Sequence, residues 1–181
     1  VGSEMCIRDS IYDSSKRHFN LFFDNAWNSL VEMDSYGHDV EAGWLLCEAA
    51  RVLEDRQLMD RANRLALDVT DACLAEGLSD KGYMMYEKKG GRTTGHASWW
   101  GQIETMIACV NAWQISGNDV YLQSADTVWT FVKDCMIDRE YGEWYSDCFD
   151  GEPKKDTPKV SMWRCPYHTV RLGVEIHNRL K

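Results

Sequence analysis

Apolar residues in this chain recur mostly at helical spacing, interrupted by two long excursions of turn and strand character. From His18 to Phe23 the alternation is strand-like, and Asp24-Asn25 then supplies turn chemistry. Leu45, Leu46, Ala49, Val52 and Leu53 share one helical face. Leu58, Ala62, Leu65, Val69 and Ala72 define a second helix, with Gly77 placed to stop it. Residues 79–94, with Gly82 and the Gly90-Gly91 pair, read as a hairpin or long loop. A third helix holds Ile103, Ile107 and Val110 and stops near Gly117. A fourth starts at Asn118 or Asp119 and keeps Leu122, Ala125, Val128, Trp129, Val132 and Met136 in period. A second hairpin-like stretch, with Gly142, Gly151 and Pro153, precedes a final helix to Lys181.

The order is thus helix, tight turn, helix, long excursion, and it repeats. Equivalent points at residues 38, 100 and 168 recur roughly every 60 to 70 residues, an internal repeat of helix pairs with little identity between units. Such a pattern predicts an all-α fold closed as an α/α toroid, here about five helices with hairpin excursions. Alternating inner and outer helices bury the apolar faces and point the inner N-termini at one mouth. Val1 to Ser10 show neither periodicity and are expected to be a non-native or disordered leader to a domain over residues 11–181.

Three short segments fall where turn signals give way to helix: Ser35-Tyr36-Gly37-His38-Asp39-Val40-Glu41, Trp99-Trp100-Gly101-Gln102-Ile103-Glu104 and Trp163-Arg164-Cys165-Pro166-Tyr167-His168. Helix N-termini carry unpaired N–H groups and the positive end of the peptide dipole, so they favour charge that develops during a reaction. Histidine titrates nearest neutral pH and serves as acid or base. Two histidines and a tryptophan pair at such ends suit a polyhydroxylated ligand that gains and loses protons, and the 8 tryptophans among 181 residues offer platforms for sugar rings.

A net charge of -9 with scattered Lys and Arg argues against a nucleic-acid or anionic-membrane partner. No apolar run reaches the roughly 20 residues of a bilayer span, and no charged-then-apolar signal pattern opens the chain, so a cytoplasmic setting is expected. The 7 cysteines are odd in number, form no C-x-x-C pair and read as reduced thiols, mostly buried. His38 with Glu41 has no further ligand set at recognisable spacing, so neither a metal nor another cofactor is expected.

Ser35-Tyr36-Gly37-His38-Asp39-Val40-Glu41-Ala42, the Trp99-Trp100 pair with Gln102 and Glu104, and Cys165-Pro166-Tyr167-His168 with Arg171 and Glu175 resemble the three C-terminal signatures of cellobiose 2-epimerases, within the N-acylglucosamine 2-epimerase superfamily. The likeness spans residues 11–181. Members are (α/α)6 barrels of about twice this length, so the resemblance implies a C-terminal half, inactive in isolation, whose partner is the missing N-terminal half-barrel. It implies a cofactor-free isomerase, monomeric when complete, that inverts C2 of the reducing-end unit of a β-1,4-linked disaccharide or oligosaccharide through an enediolate.

By that resemblance His38 and His168 are the acid/base pair, Trp99, Trp100 and Trp163 hold the sugars, and Glu41 and Glu104 complete the substrate site. The family's arginine and further histidine that hold the enediolate belong to the missing half. Glu41, one turn after His38, is placed to orient that imidazole or to bind a hydroxyl, and Glu104 stands in the same relation to Trp100. Asp39 reads equally as a first-turn acid or a direct participant. Trp27, Trp44, Trp113, Trp129 and Trp144 are left to packing, His18 to solvent, and His96 and His177 without a role.

Thr169-Val170 stand where members carry Asn-Gly, and Gly101 where they carry Pro or Val, which bears on the disaccharide more than on the chemistry. Two other readings are open: a glycoside hydrolase on the same toroid, using a carboxylate pair about 5 to 9 Å apart, and a non-catalytic sugar-binding fragment.

Overall fold

In a computed structural model, the structure describes residues 10–181. The expectation of a separate leader therefore lies, except for Ser10, outside the described residues.

Five α-helices carry the core: α1 (Tyr36–Val52), α2 (Arg56–Gly77), α3 (Trp99–Ser116), α4 (Val120–Phe131), which passes into a π turn at Val132–Met136, and α5 (Tyr167–Arg179). Local chemistry sets several of their ends. Asp55 caps α2 by accepting the N–H of Leu58 at 3.0 Å. Ser98 caps α3 through the N–H of Gly101, and Gly117 ends it in the left-handed conformation, φ 70°, returning its N–H to the Trp113 carbonyl. Gly77 is the last residue of α2, but for a reason other than turn geometry. A Cβ there would meet Met84 Sδ at 2.7 Å and the Tyr36 ring at 2.8 Å, so glycine is required by close packing.

Residues Gly101 to Ala112 of α3 are buried all round, which marks a central helix, and α3 packs on each of the other four. α2 presents Ala62, Ala66, Val69, Ala72 and Cys73 as one stripe to α1 and α3. Its small residues let α1 approach closely: a Cβ on Gly43 would lie 3.4 Å from Ala66 Cα.

The excursions form small antiparallel sheets. β1 (Tyr12–Asp13) pairs with β2 (His18–Phe19), so the expected 18–23 strand forms a ladder only at its first two residues, and Phe23 makes an isolated bridge with Ser29. β3 (Met33–Asp34), β4 (Glu87–Lys89) and β5 (Arg92–Thr94) make one three-stranded sheet; β6 (His96–Ser98), β7 (Asp147–Phe149) and β8 (Glu152–Pro153) make another. The β3 and β6 strands run almost directly into α1 and α3, so each sheet fixes where its helix begins. The N–H of Trp99 is held by the Ser146 carbonyl at 2.9 Å.

Candidate active site

The starts of α1, α3 and α5 converge, and the three sequence motifs meet there. His38 packs its imidazole 4.6 Å from the Trp100 ring, and His168 lies 6.0 Å from the same indole. Trp99 meets His168 edge-on at 6.1 Å, and the Arg164 guanidinium covers the Trp99 ring at 5.0 Å. Gly37 makes room for this arrangement, since a Cβ there would fall 2.6 Å from two atoms of the Trp100 ring.

Below the rings is a buried polar cluster. Glu104, fully buried on α3, accepts from Trp44 Nε1 at 2.9 Å through one oxygen. Through the other it faces His168 Nδ1 at 2.6 Å and accepts from Arg171 Nη1 at 3.0 Å. The same Arg171 nitrogen donates to Glu41 at 2.6 Å, and its guanidinium lies over the rings of Trp44 and Tyr167. Glu104 is a carboxylate within reach of a guanidinium and an indole N–H, so the proton of the His168 contact belongs on Nδ1 of the imidazole, leaving Nε2 as the lone pair. Tyr167 packs against His168 with tilted rings 3.8 Å apart, and burial, reinforced by Glu41, raises its phenol pKa so that it stays protonated.

The partners differ from those the spacing suggests. Glu41 does not reach His38: Ser35 Oγ, at 2.8 Å from Nδ1, orients that ring, and Glu41 turns to Arg171. Glu104 is bound to Trp44 and His168 rather than to Trp100. Gln102 is structural, its amide pairing with the backbone N–H and C=O of Met84. Trp163 lies at the surface, 81% exposed. Trp44, expected only to pack, holds Glu104, and Arg171, visible in the sequence only as part of a motif, joins both acids. The spacing of His168 and Arg171, one turn apart on α5, was the available signal.

His18 is a further correction. Instead of facing solvent it is 2% exposed, with Nδ1 2.7 Å from Asp39, whose other oxygen accepts the N–H of Phe19. Asp39 is thereby a buried anchor for β2 rather than a group open to substrate. His96 is stacked between Tyr86 (4.5 Å) and Phe149 (5.1 Å), and burial lowers its pKa below the ordinary value.

Glu41, Glu104 and His168 bring donor atoms within 4.8 Å of one another, as do His18, Asp39 and Cys73. In the first group the point between the carboxylates is taken by Arg171; in the second Asp39 is already committed to His18 and Phe19. Nor do Glu41 and Glu104 flank a space for a glycosidic bond, because one guanidinium nitrogen binds both.

A family model described as N-acylglucosamine 2-epimerase matches residues 4–171. The chain belongs to the N-acylglucosamine 2-epimerase family. Over 173 residues it is 40% identical to a cellobiose 2-epimerase of Bacteroides fragilis, covering 93% of this chain and 43% of that relative. Among solved structures it is similar to a sugar epimerase from a ruminal bacterium, with TM-score 0.93 and 34% identity over 97% of this chain and 45% of the other. It is also similar to the cellobiose 2-epimerase of Bacillus thermoamylovorans, with TM-score 0.89 and 32% identity over 96% and 45%. The fold is accordingly that of the α/α barrel epimerases, and the chain spans a little under half the length of these relatives.

Proposed function

We propose that this chain is the C-terminal half of an (α/α)6 barrel that inverts C2 of the reducing-end unit of a β-1,4-linked disaccharide of the cellobiose type. The observation that carries the reading is the contact of two imidazoles, His38 and His168, with the single indole of Trp100. Inversion next to a carbonyl requires one base to remove the C2 proton and a second group to return a proton to the opposite face of the enediolate. Two imidazoles around one ring platform supply that pair.

In one direction the free Nε2 of one imidazole takes the proton while the other, protonated, delivers its own. Among the described residues, neither Nε2 has a hydrogen-bond partner. When His168 becomes cationic, the Glu104 carboxylate at its Nδ1 stabilises the charge. Trp99, Trp100 and Trp163 bind the sugar faces, and Glu41 and Glu104 complete the site. The chemistry needs no cofactor.

The remaining half-barrel would supply further groups on the enediolate and a helix for the apolar groove of about 660 Å3 between α3, α4 and α5, lined by Met106, Val110, Leu122, Trp129, Leu172 and Ile176. The same reading takes the complete protein as a cytoplasmic monomer. Free cysteines support the compartment, and among the described residues no helix is long and apolar enough to cross a membrane.

The test is proton NMR of cellobiose in D2O with the protein expressed from its complete reading frame. Loss of the reducing-end H2 signal with growth of a mannose-type reducing end is the expected result. Released glucose would move the assignment to hydrolysis, and binding without any exchange at C2 would reduce the site to a sugar-binding one.

A further inference from the structure

Within the proposed epimerase site, we propose that Arg171 is the positioning residue that ties Glu41 to Glu104 and thereby locks His168 in the Nδ1–H tautomer, with Nε2 presented to the sugar. The inference rests on that reading for its catalytic consequence, but its structural content can be tested apart from it.

Five residues close a ring across three helices. Glu41 and Trp44 stand one turn apart on α1, His168 and Arg171 one turn apart on α5, and Glu104 comes from α3 between them. One oxygen of Glu104 is shared by His168 Nδ1 (2.6 Å) and Arg171 Nη1 (3.0 Å), and the second is fixed by Trp44 Nε1 (2.9 Å). Two carboxylates drawn to one nitrogen repel each other in a mostly buried setting unless a cation lies between them. Arg171 is that cation: its Nη1 donates to both acids, and its planar guanidinium lies over aromatic faces where an ammonium ion offers only a point charge. The guanidinium is itself seated on the faces of Trp44 and Tyr167, at 5.5 and 5.1 Å, so Trp44 positions both the acid and the base that binds it.

Without Arg171 the Glu104 oxygen facing the imidazole would be pushed from Glu41 and lose one of its two anchors. His168 would then be free to exchange its Nδ1–H for the Nε2–H tautomer, which turns an N–H instead of a lone pair toward the substrate. Arg171 touches no reacting atom in this account and acts through Glu104 and His168.

The experiment uses 15N-histidine-labelled protein from the complete reading frame, as the native chain and as Arg171→Gln and Arg171→Lys. The imidazole 15N shifts of His168 report which nitrogen carries the proton, and kinetics with cellobiose separate kcat from KM. The native protein should show a protonated Nδ1 and an unprotonated Nε2. In Arg171→Gln the signals should move to a tautomer mixture, with kcat lowered about 10- to 100-fold, as for other groups that orient a site histidine, and KM changed by less than about threefold. Arg171→Lys should recover part of the Nδ1–H signature and part of kcat.

An Nε2–H tautomer in the native protein would overturn the proposal. So would an unchanged His168 spectrum in Arg171→Gln, whatever happens to the rate. If Arg171→Gln does not fold, Arg171→Lys decides, since a spectrum and kcat identical to native would deny the guanidinium any role. Absence of C2 exchange in the native protein would sink the epimerase reading and leave the tautomer result standing by itself.

Discussion

Trp44 donates its indole N–H to Glu104 at 2.9 Å, across 60 residues of sequence, and both side chains are buried. One indole thus serves as core packing for α1 and as a fixed donor to the carboxylate beneath His168. Arg171 and Arg179, two turns apart on α5, both bring their guanidinium groups over the same ring, at 5.5 and 5.7 Å. Trp44 is therefore where the hydrophobic core and the polar site are joined.

Trp44→Phe keeps an aromatic ring in the core but leaves one oxygen of a fully buried carboxylate without its donor. The expected cost is about 1–3 kcal/mol of stability, together with a lower rate of C2 exchange. Urea unfolding of the complete protein, monitored by circular dichroism, measures the first part; a change smaller than about 0.5 kcal/mol would remove Trp44 from the account of the site.

Gly37→Ala puts a methyl group where the Trp100 ring now lies, 2.6 Å from two of its atoms. Helix α1 accepts alanine well, so any loss must come from the contact. The expectation is a shifted Trp100 and weaker sugar binding, with destabilisation of about 1–3 kcal/mol. Cellobiose titration by tryptophan fluorescence should show the loss of affinity, and native-like binding would mean that the ring moves without consequence.

The His18–Asp39 pair makes stability depend on pH. Burial by itself disfavours the charged imidazole, but the hydrogen bond and charge of Asp39 outweigh it, so the pKa of His18 is raised above 6.5. A raised folded-state pKa means that the contribution is fully present below about 6.5 and is lost as pH rises through the higher folded value. Melting temperature should therefore fall as pH increases from about 6.5 upward, and His18→Gln should flatten that part of the profile. Parallel profiles for the two proteins would show that the pair contributes nothing in this range.

Thiol reactivity follows burial. Cys73 and Cys109 are fully buried; burial holds Cys73 well above the ordinary thiol range and pushes Cys109 up to about 12, and Cys148 is likewise pushed up to about 12. Cys165, within the third motif, is exposed. Iodoacetamide followed by peptide mapping should label Cys165 first among the described cysteines. Early labelling of Cys109 would mean that the helices around α3 open readily, and early labelling of Cys148 that β7 does.

By itself the sequence determined where the five helices lie and which three segments stand near their starts, because left-handed glycines and apolar periodicity act within a few residues. Gly117 could be read that way, and the motifs carrying His38, Trp100 and His168 were placed where turn signals give way to helix; the caps of Asp55 and Ser98 were seen only in the structure. Tertiary structure alone decided who binds whom. Glu41 finds Arg171 at a separation of 130 residues, and His168 finds Glu104 at 64. His18 leaves solvent to meet Asp39 at a separation of 21. These pairings depend on how α1, α3 and α5 pack around a shared core, and a charged group buried by that packing takes whichever partner the neighbouring helix presents, since remaining unpaired costs more than any local contact returns.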